Sequence, residues 1–343
     1  MSRNMIEANK AFFSHIQSML DEDLAKQVPD SIRYIATNDE EKTWLKSLAI
    51  KHSFRISKDA FALLLCFEHN NFLCLVNVGA IESKLPPRFT EVSVNAGVIT
   101  VLGAEGYLTS KIDRARQLQI YDNVMYNTSE DAEYHGHHWT DIMNLFLPVY
   151  CYKLNLEGED FDIREDTNAF YQILCQAVFE ADAGNNPYTE QLKNVWEKIF
   201  YEGALSKINY KNILMSYIAL TWDISYLYLY QCIEDKFACE AVRPLHTRLG
   251  LSISELDLSR VLYDELSWQP KDIEGIERII NKCPNTRGVD ILQTVAGEEK
   301  LSKYIYSLRN SIVHETRDSK IPINDDPKWD KVIEGILYLL LEI

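Results

Sequence analysis

Positive charge is scarce in this chain. Across 343 residues, 35 Lys and Arg stand against 51 Asp and Glu, a formal net charge of −16. Affinity for a nucleic-acid duplex rests on neutralising phosphates over a broad basic surface. This chain cannot offer such a surface everywhere, so any nucleic-acid contact must be local and brief. The same acidity opposes adsorption to anionic lipid. No C-x-x-C occurs among the seven Cys, at 66, 74, 151, 175, 232, 239 and 283. The number is odd and several lie in apolar runs such as "FALLLCFEH", which suits buried, reduced thiols in a cytoplasmic protein. No Walker A, G-x-G-x-x-G or G-x-S-x-G is present, so nucleotide hydrolysis, dinucleotide chemistry and the α/β-hydrolase reaction lack their usual support. The N-terminus "MSRNMIEANKAFFSHIQ" has no continuous apolar segment of the kind a signal peptide needs.

What the chain does have is an ordinary globular balance. Hydrophobic residues make up 46% and charged residues 25%, with 19 Tyr, 13 Phe and 6 Trp. This composition is rich enough for packed cores, and the length suits two domains. "ILMSYIALTWDISYLYLYQCI", residues 213–233, has the length of a membrane span but carries Asp223, four Tyr, two Ser, a Thr and a Gln. A carboxylate at mid-bilayer costs roughly 2.5–3.5 kcal/mol. The stretch therefore reads as a buried helix of a protein without membrane partners.

Residues 1–157 read as an α+β domain. Residues 1–20 form an amphipathic helix, and "NDEEKTWLKSLAIKH" begins another with Asn38 and Glu41 as a capping box. "DAFALLLCFEHNNFLCLVNVGAI" places two apolar runs around a polar "HNN", a β-hairpin pattern. "EVSVNAGVITVLG" repeats it around Asn95-Ala96-Gly97, and "KIDRARQLQIYDNVMY" returns to helical spacing. The acidic "NLEGEDFDIREDTN", 155–168, reads as a linker. Beyond it strand signals fade. Helices are expected near 168–182, 188–205, 209–239, 253–266, 271–282, 298–316 and 327–342, which makes 168–343 an all-α domain in a mainly α protein.

One stretch of that second domain, "SLRNSIVHE", carries Arg309 and His314 with four residues between them. About one such Arg–His pair arises by chance in a chain of this composition, so context must carry the argument. Leu301, Ile305, Leu308 and Ile312 fall on one helix face, with Arg309 and His314 off it. At 100° per residue these two sit about 140° apart around the helix, while Asn310 stacks on His314 four residues later. A helix-capping His and an ordinary surface Arg would show the same pattern.

"LRNSIVHE" nevertheless resembles the signature of HEPN domains: Arg followed by a polar residue, four to six residues, then His, on a late helix of an all-α bundle. The resemblance covers residues 168–343 and does not reach the first domain. It implies a metal-independent endoribonuclease without cofactors, of the kind found in toxins and anti-phage defence, with Arg309 and His314 catalytic and Asn310 supporting. It also implies a homodimer in which two copies of the motif meet, and a regulatory or antitoxin partner. Some members keep the fold as binding or dimerisation modules without catalysis, so the resemblance equally allows a non-catalytic adaptor or nucleotide-binding module in which Arg309 and His314 stabilise structure or bind a nucleotide.

Three further groups have both a functional and a bland reading. Asp223, a carboxylate within an apolar helix, needs a partner; it could orient Arg309 or His314, or bond within the core. "YHGHHW" puts His135, His137 and His138 close enough to suggest a metal pair, yet no Cys or H-E-x-x-H supports it, and a polar loop gives the same letters. "SKIDRARQ", with Lys111, Arg114 and Arg116, is the densest basic cluster; it could touch RNA, or be a solvated helix face.

Overall fold

A computed structural model describes residues 2–28, 33–78, 86–110, 114–125, 134–159, 161–182, 184, 186–283, 286–314, 321–322 and 324–343. The protein is mainly α, with an α+β N-terminal part and helices after it. It divides into two compact units, 1–170 with 180–182, and 171–179 with 183–343.

The first unit holds α1 (Met5–Gln17), α2 (Glu22–Ala25), α3 (Asp39–Ser47), β1 (Ala49–Arg55), β2 (Phe61–Phe67), β3 (Asn70–Val76), β4 (Phe89–Val92), α4 (Ala96–Ala104), α5 (Arg114–Met125), α6 (Trp139–Met143) and β5 (Val149–Leu154). Its five strands form one antiparallel sheet in the order β1-β2-β3-β5-β4. The expected hairpin is β2–β3. Its turn sits one residue earlier than "HNN", because Glu68 and His69 take the positive φ angles, 46° and 67°. The Asn38–Glu41 capping box is present at the start of α3.

The second expected hairpin does not form. Asn95 is instead the N-cap of α4, its side chain accepting from Val98 N, and the eight residues 96–103 are all buried. The run has no polar face, so alternation was a poor guide: a fully buried helix and a buried strand read alike. Gly97 explains the choice. A Cβ there would lie 2.3 Å from the Glu41 carbonyl oxygen of α3, and one on Gly103 would lie 2.1 Å from the Phe12 ring of α1. The two glycines let α4 press against α3 and α1 in a core shared with Phe12, Ile16, Leu63, Leu65, Cys74 and Val76. The acidic stretch 155–168 belongs to this unit. Arg164 anchors it to the hairpin, donating from Nε to Asn71 Oδ1 at 2.8 Å and also to the His69 carbonyl.

The division of the chain falls within α7 (Thr167–Glu180). The second unit then contains α8 (Glu190–Glu202), α9 (Tyr210–Tyr217), α10 (Trp222–Leu249), α11 (Glu255–Leu266), α12 (Asp272–Lys282), α13 (Arg287–Ala296), α14 (Leu301–Val313) and α15 (Asp326–Glu342), with no strand among its described residues. The expected single helix over 209–239 is two, α9 and α10, broken at 218–221. The carbonyls freed at a helix end need donors, and the corner supplies them. Tyr188 Oη donates to the Tyr217 carbonyl at 2.7 Å, and Asn186 Nδ2 to the Ala219 carbonyl at 3.1 Å. Across the corner, Ser216 Oγ donates to the Ser225 carbonyl at 2.9 Å. No helix among the described residues is long and apolar enough to cross a membrane.

Helix α10 is the spine, packing on α9, α11, α12, α14 and α15. Helix α13 was not expected from the sequence. Its buried face is Gly288 and Leu292, and a glycine contributes nothing to hydrophobic periodicity. A Cβ on Gly288 would meet the Leu339 nitrogen of α15 at 2.6 Å, and one on Gly335 would meet the Leu292 side chain at 2.6 Å.

Filling either close approach forces backbones apart, and overpacking costs about 1–3 kcal/mol. Gly97→Ala and Gly288→Ala should each lower thermal stability by that amount in calorimetry. Asn95→Ala, which removes only a cap, should cost about 1 kcal/mol. A neutral Gly97→Ala would contradict the α3–α4 packing described here.

Candidate functional site

The sequence reading rests on α14, and the helix lies where it was expected. Leu301, Ile305 and Leu308 are buried, while Ile312, the fourth member of the stripe, is only partly covered. Tyr226 of α10 docks the helix, its hydroxyl donating to the Ile305 carbonyl at 2.7 Å. One turn on, the Arg309 guanidinium lies over the ring of Tyr230, 5.9 Å from its centroid. This is the outer range of a cation–π contact, which steers an arginine without consuming its hydrogen-bond donors.

Asn310 links the two motif residues. Its Oδ1 accepts from Arg309 Nη1 at 3.0 Å, and its backbone carbonyl accepts from the His314 N–H at 3.0 Å. His314 is the C-cap of α14 and is exposed; among the described residues nothing bonds its imidazole. Arg309 is half-buried. Among the described residues, the helix thus presents a guanidinium with spare donors and an exposed imidazole, on different sides of its last turn.

Sequence reasoning missed the groups that face Arg309. Burial raises the Glu234 carboxyl of α10 to about 7, with Asp272 and Asp235 adding to the rise and the Arg309 charge opposing it. Burial also raises Asp272, at the start of α12, and Arg309 again opposes. Neither carboxylate closes an ion pair with Arg309 among the described residues. Both instead line a cavity of about 560 Å³ between α10, α11 and α12, whose wall also carries Arg260, Tyr263 and Trp268. The "ED" that ends the apolar run of α10 was the available signal. Asp272 looked like nothing more than an acidic first turn.

Asp223 is not brought to the pair. The break before α10 makes it a first-turn residue, where a carboxylate favours the helix dipole. Tyr226 meets Ile305 and Tyr230 meets Arg309. The two helices therefore advance together, and Asp223 lies about 10 Å along the axis before Tyr230, away from the His314 end. Its Oδ1 is buried without a hydrogen-bond partner.

The three clustered histidines part company. His137 is buried, tilted against Phe13 with ring centroids 5.0 Å apart; His138 bonds the Thr140 hydroxyl at 2.6 Å; His135 is exposed. No group of His, Cys, Asp or Glu suited to a metal occurs among the described residues. Of the basic cluster, Lys111 and the Arg114 side chain lie outside the described parts, and Arg116 donates to the Asn144 carbonyl.

Comparison with protein-family models, curated proteins and solved structures finds no match. The functional reading therefore rests on the residues themselves.

The Glu234 carboxyl gives a pH test. In the folded protein it keeps its proton to about pH 7, against 4.5 ordinarily. A folded pKa above the unfolded one contributes stability that is full below pH 4.5 and is lost as pH rises through about 7. Glu234→Gln should therefore melt above wild type at pH 8, with the gap closing toward pH 5. Equal melting curves at pH 8 would contradict the burial of this carboxyl.

Proposed function

We propose that the protein is a metal-independent, HEPN-type endoribonuclease acting as a two-fold dimer, in the manner of a cytoplasmic toxin or anti-phage effector held in check by a regulatory partner. The observation that carries this is the end of α14: Arg309 with unspent donors and an open His314, tied through Asn310, on the penultimate helix of an all-α unit. Two side chains about 140° apart grasp a single phosphate poorly, whereas a two-fold copy would present two Arg and two His to one phosphodiester. The exposed Val313 gives this end of the helix an apolar contact for the copy.

The chemistry follows from the residue types. Histidine titrates near neutrality, so one imidazole takes the ribose 2′-OH proton while the other protonates the departing 5′-oxygen. Arg309 stabilises the charge that builds on phosphorus without losing its own proton. The products are a 2′,3′-cyclic phosphate and a free 5′-hydroxyl. DNA, lacking the 2′-OH, is not cut.

A second reading has an observation of its own. Glu234 and Asp272 place negative charge near Arg309, which opposes an incoming phosphate. This environment suits a non-catalytic module in which Arg309 holds α10, α12 and α14 together.

Cleavage assays separate the two. His314→Ala should lose roughly 10²–10⁴-fold in rate, and Arg309→Ala on the order of 10²–10³-fold. The double variant should be little worse than the poorer single, since both act on one transition state. EDTA should leave the rate unchanged, and 2′-deoxyribose at the scissile position should block it. A well-folded His314→Ala that cuts at the wild-type rate, or purified wild type that cuts no RNA, would leave the non-catalytic reading standing.

A further inference from the structure

We infer that the first unit carries a binding site for a small nucleotide, in the cavity between α1, the segment 33–37 and α3. The cavity encloses about 490 Å³, inside the roughly 300–1,000 Å³ range of small-molecule sites. Its distinguishing feature is charge. In a chain of net −16, the lining includes Lys10, Arg33, Lys42 and His135 and no Asp or Glu among the described residues. These basic groups come from four separate stretches of chain; Arg33 is buried and engaged within the protein, whereas Lys10 and His135 are exposed and Lys42 is partly so.

The rest of the wall is mostly apolar and preformed. Ile6 is 64% exposed and Tyr34 is 37% exposed, both facing a space that a flat ring could fill. Tyr34 is held from several sides. It packs edge-on against Tyr134 with centroids 5.2 Å apart, and its ring covers Gly136, where a Cβ would come within 2.6 Å. Its carbonyl accepts from the His137 N–H, and the Ala36 N–H donates to the His137 carbonyl, each at 2.9 Å. Buried Asn9 pins the segment to α1, accepting from Ile35 N and donating to the Met5 carbonyl, both at 2.9 Å. A wall this constrained loses little entropy on binding.

The ligand class follows. Two lysines exceed the need of a single carboxylate and suit a phosphate, which is doubly charged near neutrality. Lys10 and Lys42 have surface partners in Glu7 and Asp39, three residues back on their own helices. Exposed pairs of this kind contribute little, and both lysines can turn to a phosphate. The apolar wall with Tyr34 takes a nucleobase by stacking. The "YHGHHW" segment thereby acquires a role: Gly136 admits the Tyr34 ring, His137 builds the wall and His135 joins the rim.

Calorimetric titration of the full chain with AMP, adenosine and inorganic phosphate tests this. AMP should bind one per chain, with adenosine and phosphate each at least about tenfold weaker. Lys10→Glu/Lys42→Glu should weaken AMP at least about tenfold while the chain still melts cooperatively close to wild type, because neither side chain is buried and the pairs they break are surface pairs. Should the charge reversal unfold the chain, Lys10→Gln/Lys42→Gln should show the same direction. Arg309→Ala should bind AMP as wild type does, which keeps this site distinct from the proposed ribonuclease centre. No AMP binding at millimolar concentration, adenosine binding as tightly as AMP, indifference to the lysine variants, or loss of binding on Arg309→Ala would each overturn the inference.

Discussion

The Arg309 guanidinium over the Tyr230 ring, with the Glu234 and Asp272 carboxyls nearby, is the interaction on which the chemistry proposed for the second unit depends. It sets the side of α14 that faces α10 and α12, and so the side on which His314 is left open. It also joins opposites. Arg309 is the cation that makes a pair of half-buried carboxylates tolerable, and those carboxylates oppose the anion that Arg309 is proposed to bind. A buried acid without a partner costs free energy. The protein meets that cost partly with Arg309 and partly by keeping Glu234 protonated to about pH 7. Guanidinium orientation and carboxyl protonation are thereby linked, and with them the phosphate affinity proposed for Arg309.

Legibility in the sequence followed the physics of each element. The helices α8, α12 and α14 were readable because each has one buried stripe and one wet face, and α15, buried over most of its length, was readable from the proline in its first turn. The α3 start was readable from its Asn38–Glu41 box, and the β2–β3 hairpin from two apolar runs around a polar turn. Residues 96–104 were misread because an all-buried helix has no polar face to reveal its period. Helix α13 was invisible because its closest contact is made by Gly288. The join of α9 to α10 was hidden by a continuous apolar composition, and that error misplaced Asp223 as a mid-helix charge. For the site, Arg309, Asn310 and His314 were legible as a local pattern. Glu234 and Asp272 were not, since they reach Arg309 from other helices and no local spacing encodes that approach.

Charge economy gives the two units a common theme. The chain is strongly acidic, and two small groups of basic side chains are the places proposed to take an anion. One is the end of α14. The other is the rim of the first-unit cavity, where Lys10, Lys42 and His135 gather around the Tyr34 wall. Both are small, which suits local rather than extended contact with the phosphates they are proposed to take.

The central claim is that Arg309 divides its charge between Glu234 and a bound phosphodiester. A double-mutant cycle measures this coupling directly. Binding of a short RNA with a non-cleavable 2′-deoxy linkage would be determined at pH 8 for wild type, Glu234→Gln, Arg309→Ala and the double variant. Glu234→Gln should tighten binding in the wild-type background and have little effect once Arg309 is gone. An equal gain in both backgrounds, or no gain in either, would contradict the account.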